Sequence, residues 1–376
     1  MSYSMPVRYH AGKFPPKNVD SSALLPLVGP AREALGRYDG LLLAIPNVHV
    51  LLSPLITQEA VLSSKIEGTH VTIGEVLEIE AGGDSERFTQ PKRDDAEEVL
   101  NYRKAMRACV SEMRTRPLSQ HMLRGAHGLL MQGVRGRDQS PGGYRTDQNW
   151  IGPKGCKMDT ASFVPIPIEH LQAGMDDWER YLASTGEPDA LIQLAVLHLE
   201  FEALHPFKDG NGRLGRMLLP LFLYQRKMIS SPDFYMSGYL EANREEYQER
   251  LRGVSRDDDW TGWCAFFLKG VQQQATENDR KARQILQLYN RLKTEVAELT
   301  HSQHSIRSLD FLFETPTFTA AHFTNYSHIP KPTAARILRL FRERDILTTL
   351  REGKGRRVGI YAFRELLNIA EGKDVF

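Results

Sequence analysis

Cysteine is scarce in this chain, and long hydrophobic runs are missing. Its three cysteines, Cys109, Cys156 and Cys264, are scattered and form no Cys-x-x-Cys pair. This spacing indicates neither a disulfide framework nor a zinc knuckle. No apolar stretch approaches the roughly 18 residues that a membrane-spanning helix needs, and the N-terminus lacks the apolar centre of a signal peptide. We therefore expect a cytoplasmic protein without a membrane partner.

An excess of charge of either sign is also absent. The chain has 48 Lys and Arg against 47 Asp and Glu, a formal net charge of +1 at pH 7. This balance argues against capture of nucleic acid or membrane by the whole surface, although it allows local basic patches. The Gly-x4-Gly-Lys-(Ser/Thr) and His-Glu-x-x-His motifs of other enzyme classes are missing too. The length favours two or three domains.

Residues 205–216 combine the groups of a nucleotide-binding site. They read His-Pro-Phe-Lys-Asp-Gly-Asn-Gly-Arg-Leu-Gly-Arg between two apolar runs, which predicts a helix, a glycine-rich loop and a second helix. The loop amides and the second helix's N-terminus would bind an anion, and Arg213 and Arg216 suit phosphate oxygens. Asp209 is a ligand of the kind that holds Mg²⁺ on a polyphosphate, and His205 can accept a proton from a hydroxyl. Together they predict a nucleotide-dependent transferase.

The same stretch resembles the signature of the Fic family, His-x-Phe-x-(Asp/Glu)-Gly-Asn-Gly-Arg-x-x-Arg, and matches it at every specified position. A dinucleotide fingerprint also fits residues 210–215, but it requires a preceding short strand where this chain is helix-like. A plain helix–helix turn would explain only the glycines. The resemblance covers about residues 9–270 and implies a mainly α-helical Fic fold with a small β-hairpin flap.

Similarity to Fic proteins implies a protein adenylyltransferase, which transfers AMP from ATP to a Ser, Thr or Tyr hydroxyl of a target protein or of itself. His205 would deprotonate the hydroxyl, and Asp209 would hold Mg²⁺ on the α- and β-phosphates. A later Tyr-Leu-Glu-Ala-Asn segment resembles the part of Fic proteins that borders the adenine. The implied ATP-binding residues are Gly210, Asn211, Gly212, Arg213, Leu214, Gly215, Arg216, Tyr239 and Asn243.

An N-terminal helix is expected to begin with Thr57 as its N-cap and to end at Gly68. The segment Ser63-Ser-Lys-Ile-Glu-Gly within it resembles the inhibitory motif of Fic proteins, (Ser/Thr)-x-x-x-Glu-(Gly/Asn). The resemblance implies that Glu67 pairs with Arg216 and occupies the place of the nucleotide γ-phosphate. From the residues alone, a solvated serine and a solvated glutamate near a helix end remain the alternative.

Glycine, proline and aromatic residues interrupt the helical pattern between residues 142 and 167. Two short extended pieces around residues 153–155 predict a hairpin. Its position resembles the Fic flap, which holds the backbone of the target protein by strand addition. We therefore expect a protein target to bind around residues 150–165, with an ordinary surface hairpin as the alternative.

The C-terminal part has the pattern of a helix–turn–helix followed by a strand–turn–strand, which predicts a winged-helix domain. Residues 331–357 contain nine Lys and Arg against three Asp and Glu. This basic patch favours DNA as a partner, with Arg336 and Arg339 as expected contacts. A protein-docking module or a homodimer contact is the alternative use of such a domain.

Two functions other than AMP transfer stay open. One alternative is a DNA-binding regulator whose Fic domain senses a nucleotide; the other is a Fic enzyme that mainly removes AMP, with Glu67 positioning water.

The patterns divide the chain into four segments. They are an N-terminal module (1–114) with the inhibitory helix at 57–68, a Fic catalytic domain (115–270), a linker helix (271–300) and a winged helix (301–376). Short helices are expected between residues 22 and 52.

Overall fold

The computed structural model describes residues 5–45, 47–82, 88–133, 139–353 and 358–374. It is mainly α-helical, with 65% of the residues in helices and a few short strands, as the sequence predicts. Within these ranges no helix combines the length and the apolar character needed to cross a bilayer.

Helices and short strands alternate along the described part of the chain. The helices are α1 (Ser21–Ala44), α2 (Val48–Leu51), α3 (Ser53–Ile66), α4 (Ile73–Glu80), α5 (Gln90–Glu112), α6 (Gln120–Leu130), α7 (Leu171–Ala183), α8 (Ala190–Leu204), α9 (Asn211–Gln225), α10 (Ser237–Ala242), α11 (Arg244–Asp257), α12 (Trp260–Thr300), α13 (Ser305–Glu314), α14 (Ala320–Tyr326), α15 (Lys331–Glu343) and α16 (Arg364–Glu371). The strands are β1 (Val7–Arg8), β2 (Phe163–Val164), β3 (Thr317–Thr319), β4 (Thr348–Arg351) and β5 (Ile360–Ala362).

Two compact units form, and they do not follow the linear order of the predicted segments. The first unit comprises residues 1–39 and 101–276, and the second comprises residues 40–100 and 277–376. Residues 40–100 group with the C-terminal part because α2, α3 and α4 pack against α13, α16 and β3. The predicted linker helix, residues 271–300, is the C-terminal part of the 41-residue helix α12, which begins at Trp260 and has no break at residue 270.

The core of the first unit is built around α8, which is buried on every side. Its sequence is nearly apolar all round, so a helix surrounded by other elements is the stable solution. Two buried tryptophans pack on it and donate to its backbone: Trp178 Nε1 to the Leu197 carbonyl at 3.0 Å and Trp263 Nε1 to the Ala195 carbonyl at 2.8 Å. These contacts fix the helix whose C-terminal end carries His205.

Between residues 22 and 52 the expectation of short helices is met only by α2, and it is wrong for residues 22–44, which belong to one long helix, α1. Pro26 and Pro30 lie inside α1 on its exposed side. Each proline removes a helical hydrogen bond, a loss of about 3 kcal/mol or more in a helix interior. Burial of the opposite face offsets this loss. The buried residues of that face recur at helical spacing: Leu24, Val28, Ala31, Leu35 and Tyr38.

The β structure near the predicted flap is smaller than a hairpin and is paired differently. Ile151 and Phe163 form a single antiparallel bridge, with N–H to carbonyl distances of 2.9 and 3.0 Å. On its other side, β2 pairs in parallel with β1, where Val7 lies opposite Phe163. The bridge closes residues 152–162 as a loop, and the Trp150 indole donates to the Cys156 carbonyl in this loop at 2.9 Å.

The helix α3 begins at Ser53, so the predicted N-cap at Thr57 is wrong. Pro54 lies in the first turn, where a missing N–H is tolerated. The Thr57 hydroxyl donates to the Ser53 carbonyl at 3.3 Å inside the helix. At the other end Glu67 is the C-cap and Gly68 has a φ of +100°, as expected for a glycine that ends a helix.

The C-terminal part of the second unit contains a three-stranded antiparallel sheet in the order β3–β5–β4. Its central strand pairs on both sides, with Tyr361 opposite Phe318 on one strand and Thr349 on the other. The helices α14 and α15 and the strands β4 and β5 lie where the sequence pattern places them, whereas β3 was not expected. The basic residues of the predicted wing, Lys354, Arg356 and Arg357, lie outside the described residues.

Candidate active site

The candidate site is the loop that joins α8 to α9. His205 is the C-cap of α8, in the left-handed region with a φ of +47°, and Gly210 is the N-cap of α9 with a φ of +78°. A left-handed conformation costs a non-glycine residue of order 1–3 kcal/mol and persists only where its surroundings hold it. The predicted order of helix, glycine-rich loop and helix is therefore present, with the histidine in a strained position.

Arg145 holds the backbone at His205. Its Nε donates to the His205 carbonyl at 3.1 Å, and its backbone N–H donates to the Pro206 carbonyl at 2.9 Å. The other guanidinium nitrogens donate to the carbonyls of Asp147 at 3.1 Å and Ile166 at 2.5 Å. Only 3% of Arg145 is exposed, and burial lowers the pKa of its guanidinium to about 10, so it stays charged at neutral pH. This buried cation ties the loop to both ends of the flap segment.

Asn211 closes the loop from inside. Its Oδ1 accepts from the Phe207 N–H and its Nδ2 donates to the Phe207 carbonyl, both at 2.9 Å. The side chain is buried, with 1% of the residue exposed. Both ends of the amide are therefore used to shape the loop. The expected phosphate contact of Asn211 would have to come mainly from its backbone N–H, beside those of Gly210 and Gly212.

His127, from α6, supports the loop and was not singled out in the sequence. Its Nδ1 accepts from the Gly142 N–H at 2.8 Å, so Nε2 carries the proton and donates to the Asp209 carbonyl at 3.1 Å. Its ring stacks on Phe207, with centroids 3.9 Å apart. Burial lowers the pKa of His127 to about 4, which keeps the imidazole neutral. The only available signal was a histidine within the apolar stripe of α6.

The Asp209 carboxylate lies on the exposed side of the loop, directly before the N-cap of α9. Its side chain is 54% exposed, its Oδ1 accepts from the Gly210 N–H at 2.6 Å and it lies 3.6 Å from Arg213 Nη2. In the described ranges no three His, Cys, Asp or Glu residues group closely enough to form a protein-only metal site. A single exposed carboxylate fits Mg²⁺, which usually takes one or two carboxylates together with substrate phosphates and water.

Both arginines of the loop motif are buried in the first turns of α9. Arg213 is 3% exposed and Arg216 is 1% exposed. Arg213 Nη2 also lies 3.9 Å from the Met131 sulfur. Guanidinium groups in a low-dielectric setting interact with phosphate charge more strongly than they would in water. The structure thus places His205 and Asp209 on the loop between α8 and α9, and both arginines in the first turns of α9.

Two residues of the predicted nucleotide-binding set have packing roles. Leu214 is fully buried, and its N–H donates to the Gly210 carbonyl at 3.1 Å, so neither group is available to a ligand. A Cβ at Gly215 would collide with the Glu202 carboxylate and lie 3.3 Å from the His198 ring. Gly215 therefore allows α9 to approach α8 closely. The structure thus gives both residues a packing role, and their contact with ATP remains a prediction.

His198 supports the same helix contact from α8. Its Nδ1 lies 3.0 Å from the Gly215 carbonyl and its Nε2 lies 2.9 Å from the Tyr247 hydroxyl. Burial lowers its pKa to about 3, and the charge of Arg216 adds to the effect. The neutral ring thus donates through Nδ1 and accepts from the tyrosine. It is a packing histidine and not a metal ligand.

Tyr239 and Asn243 lie together in the first unit. Asn243 Nδ2 donates to the Tyr239 carbonyl at 2.9 Å, and the Tyr239 N–H donates to Gln274 Oε1 at 2.7 Å. The ring centroids of Tyr239 and Phe266 lie 5.3 Å apart. A Cβ at Gly270 would lie 2.6 Å from the Tyr239 ring. The structure therefore fixes the two residues against α12, and their contact with an adenine remains a prediction.

The two buried histidines make stability depend on pH. The pKa values of His127 and His198, about 4 and 3, lie below the ordinary 6.5. Below about pH 6.5 the unfolded chain binds protons that the folded chain excludes, so the free energy of unfolding falls as the pH falls. We expect His127→Gln to reduce the loss between about pH 6.5 and 5 by about 1.5 kcal/mol. Urea unfolding of the wild type and of His127→Gln at both pH values measures this difference. Equal losses of unfolding free energy in the two proteins would contradict the prediction.

Comparison with known families identifies the chain. The Fic/DOC family N-terminal model matches residues 25–111, and the Fic/DOC family model matches residues 117–223. A Fic family protein from Desulfovibrio desulfuricans G20 has a similar structure, with a TM-score of 0.58 and 20% identity over 91% of this chain and 95% of that one. The fold and the loop motif define a helical Fic protein. The chain belongs to the Fic family.

Two relatives with sequence similarity match only part of this chain. The chain is 31% identical over 107 residues to a protein named as a probable protein adenylyltransferase from Aquifex aeolicus (strain VF5), a match that covers 26% of this chain and 32% of the relative. It is 29% identical over 124 residues to a Fido domain-containing protein from Dictyostelium discoideum, covering 33% of this chain and 78% of that protein. The chain thus matches about a third of the first relative's length.

Proposed function

We propose that this protein transfers AMP from ATP to a hydroxyl group of a protein. The observation that carries the proposal is the closed loop in which His205 caps α8, Gly210 caps α9 and two buried arginines follow. Such a loop offers a proton acceptor, backbone donors at a helix N-terminus and two cations within a few residues. The name of the Aquifex relative, a probable protein adenylyltransferase, supports the same activity.

His205 accepts the proton of the attacking hydroxyl. Its Nδ1 lies 3.3 Å from the Glu202 carbonyl, which favours the tautomer that carries its proton on Nδ1. Nε2 is then the basic nitrogen. The hydroxyl oxygen forms a bond to the α-phosphorus of ATP, the bond to the bridging oxygen breaks, and pyrophosphate leaves while the proton moves to His205. Arg145 acts on this step only by holding the strained His205 backbone.

The first turn of α9 stabilises the negative charge that develops on the leaving phosphates. The backbone N–H groups of Asn211 and Gly212 lie in the first turn of α9, and Arg213 and Arg216 supply two buried cations. Donors fixed before the reaction stabilise a transition state most effectively. Asp209 is the residue that would hold Mg²⁺, which when bound neutralises phosphate charge. Tyr239 and Asn243 are proposed to border the adenine.

Inhibition by the end of α3 is part of the proposal. Glu67, followed by the left-handed Gly68, would pair with Arg216 and occupy the place of the γ-phosphate. Ser63, one turn earlier, is fully buried and Glu67 is exposed at the helix end. A carboxylate can take a guanidinium partner from a phosphate because both present two oxygens at similar spacing.

The protein target is proposed to bind at the flap, residues 150–165. Three exposed apolar side chains lie there: Trp150, Ile151 and Met158, 42%, 38% and 39% exposed. The bridge between Ile151 and Phe163 presents extended backbone to which a target segment can add as a strand. Modification of the chain itself by the same route is included in this proposal.

The choice of transferred group is tested with two forms of labelled ATP. The full-length protein is incubated with a cell extract, Mg²⁺ and ATP labelled either at the α-phosphate or at the γ-phosphate. AMP transfer predicts protein-bound label from the α-labelled nucleotide alone. Label from the γ-phosphate alone would show transfer of phosphate instead, and the proposed reaction would be wrong.

Arg145 gives a prediction that separates positioning from binding. Arg145→Lys keeps the charge but loses the fork that reaches three carbonyls, so His205 is less well held. We expect kcat to fall about 10- to 100-fold, with a smaller change in the KM for ATP. The exposed Arg180→Lys is the matched control. An unchanged kcat, or a rate loss that merely follows a loss of folded protein in a thermal melt, would contradict the role.

A further inference from the structure

The helix α15 has one apolar face and one basic face. Its apolar stripe packs inward and consists of Ala334, Ile337, Leu338 and Phe341. The exposed face carries four cations and one carboxylate: Lys331, Arg336, Arg339, Arg342 and Glu343. Three of the arginines follow one another at intervals of three residues, which forms a ridge along the helix.

The contacts of this ridge show which cations face solvent. Arg336 Nη2 donates to the Thr300 carbonyl at 2.8 Å, so Arg336 ties α15 to the end of α12 and is a poorer candidate for DNA contact than the sequence suggested. The Arg342 guanidinium lies over the Tyr361 ring at 5.7 Å. Arg339 lies 3.7 Å from Glu343 with both side chains exposed, a pairing that solvent weakens. Lys331 and Arg339 are therefore the better candidates for DNA contact in the first three turns.

The surroundings of α15 are those of a recognition helix. The short α14 packs against it across a turn in which His328 has a φ of +54°. Exposed Ala335, a small residue in the first turns, leaves room for close approach of a nucleic acid. An α-helix fits the major groove of duplex DNA, which is about 12 Å wide. The strand β3 of the β3–β5–β4 sheet packs against α14, and two such helices beside a small antiparallel sheet have the arrangement of a winged helix.

Charge is distributed unevenly along the chain. Residues 301–376 contain twelve Lys and Arg against eight Asp and Glu, whereas the remainder has 36 against 39. The positive excess is thus confined to the part that contains α15. We infer that this part is a winged helix that binds double-stranded DNA through the exposed face of α15, a function separate from AMP transfer. Phosphate is the chemistry that this face complements.

The test measures binding of the full-length protein to a fluorescent DNA duplex of random sequence over a series of salt concentrations. We expect a dissociation constant of about 1–100 μM at physiological salt. The double variant Lys331→Ala/Arg339→Ala should bind at least about tenfold more weakly, with a salt slope smaller by about 2. Arg283→Ala, an exposed α12 arginine that pairs with Asp279, is the matched control and should bind as the wild type does.

Two outcomes would overturn the DNA interface. One is equal binding by the wild type and the double variant, which would place the contact elsewhere. The other is no binding to the duplex at any salt concentration, together with self-association in light scattering that the double variant abolishes. That result would assign the face to a second copy of the chain. AMP transfer by the double variant should equal that of the wild type, so a failure here leaves the enzymatic proposal intact.

A second inference concerns α3, and it rests on the proposed inhibition by Glu67. Most of α3 is buried, and the helix packs against α13 and α16 within the second unit. Ser53 Oγ donates to the Glu314 carbonyl at 3.0 Å, and Gln58 Nε2 lies 3.4 Å from Glu371 Oε2. We infer that the C-terminal elements hold the inhibitory helix in place, so that a change in α16 alters the inhibition.

A pair of variants on α16 tests this inference. Glu371→Ala removes the acceptor of the buried Gln58 amide, whereas Glu365→Ala removes an exposed carboxylate that pairs with Arg291. We expect Glu371→Ala to raise AMP transfer about two- to tenfold, and Glu365→Ala to leave it unchanged. In a Glu67→Gly background Glu371→Ala should have no further effect.

Two results would refute the role of α16. The first is an equal activity of Glu371→Ala and wild type, which would show that the contact does not hold α3. The second is a rise that persists in the Glu67→Gly background, which would show action by another route. If Glu67→Gly itself does not raise activity, the inhibition proposal fails and this inference falls with it, while the DNA interface is unaffected.

Discussion

Replacing Glu67 by glycine is expected to raise AMP transfer about 5- to 150-fold, the usual range of coupling between an inhibitory contact and a ligand. In the proposed inhibition, loss of the carboxylate leaves Arg216 to interact with the nucleotide γ-phosphate. Glu67 is the C-cap of α3, with φ −85° and ψ 0°, so glycine fits there without backbone strain. Initial rates of incorporation of α-labelled AMP at saturating target measure the effect.

The control for this variant lies in the same helical turn. Lys65→Ala removes an exposed side chain and keeps both the helix and the carboxylate, so it should change the rate little. A Glu67→Gly protein that is no more active than wild type would contradict the inhibitory role. If Glu67 instead positions water for removal of AMP, the variant would lose the ability to release label from a modified target, which a chase with unlabelled nucleotide detects.

Replacing His205 by alanine in the Glu67→Gly protein is expected to lower the rate of transfer about 10²- to 10⁴-fold, the usual contribution of a positioned base. The loop should remain closed, because the side chains of Arg145 and Asn211 bond to backbone groups of His205 and Phe207. We therefore expect the affinity for ATP to change much less than the rate. Single-turnover rates and equilibrium nucleotide binding measure the two quantities separately.

His121→Ala is the matched control for the base. His121 is an exposed histidine at the start of α6, so its loss should leave both quantities as they are. A rate in His205→Ala within a few-fold of the parent would show that another group takes the proton. A parallel loss of rate and of ATP affinity would assign His205 to binding.

The central loop could be predicted from the sequence because every signal in it is local. The apolar run before Pro206 predicts a helix that ends at His205, and the glycines predict the turn into α9. The fold follows in the same way from long helical patterns. Leu214 shows the limit of this reasoning, because its place in a binding motif gives no information on whether its side chain faces ligand or core.

The parts of the site that come from distant residues could not be predicted. Arg145 and His127 contact the loop from positions about 60 and 82 residues away in sequence. Nothing in their local patterns tells which backbone carbonyl they bind. The packing of α3 with α16 is equally invisible, because two amphipathic helices carry no signal that names their partner. Pro26 and Pro30 disfavour a continuous helix locally, so α1 could not be predicted as one helix, and burial of its opposite face outweighs their effect.

The most direct test of the account compares wild type, Glu67→Gly and Glu67→Gly/His205→Ala with Mg²⁺, ATP labelled at the α-phosphate and a cell extract. AMP transfer with His205 as the base and with inhibition by Glu67 predicts strong protein labelling by Glu67→Gly, weak labelling by wild type and almost none by the double variant. Absence of labelling in all three proteins, when each of them binds ATP and extracts from several sources have been supplied as targets, would contradict AMP transfer as the function of this chain.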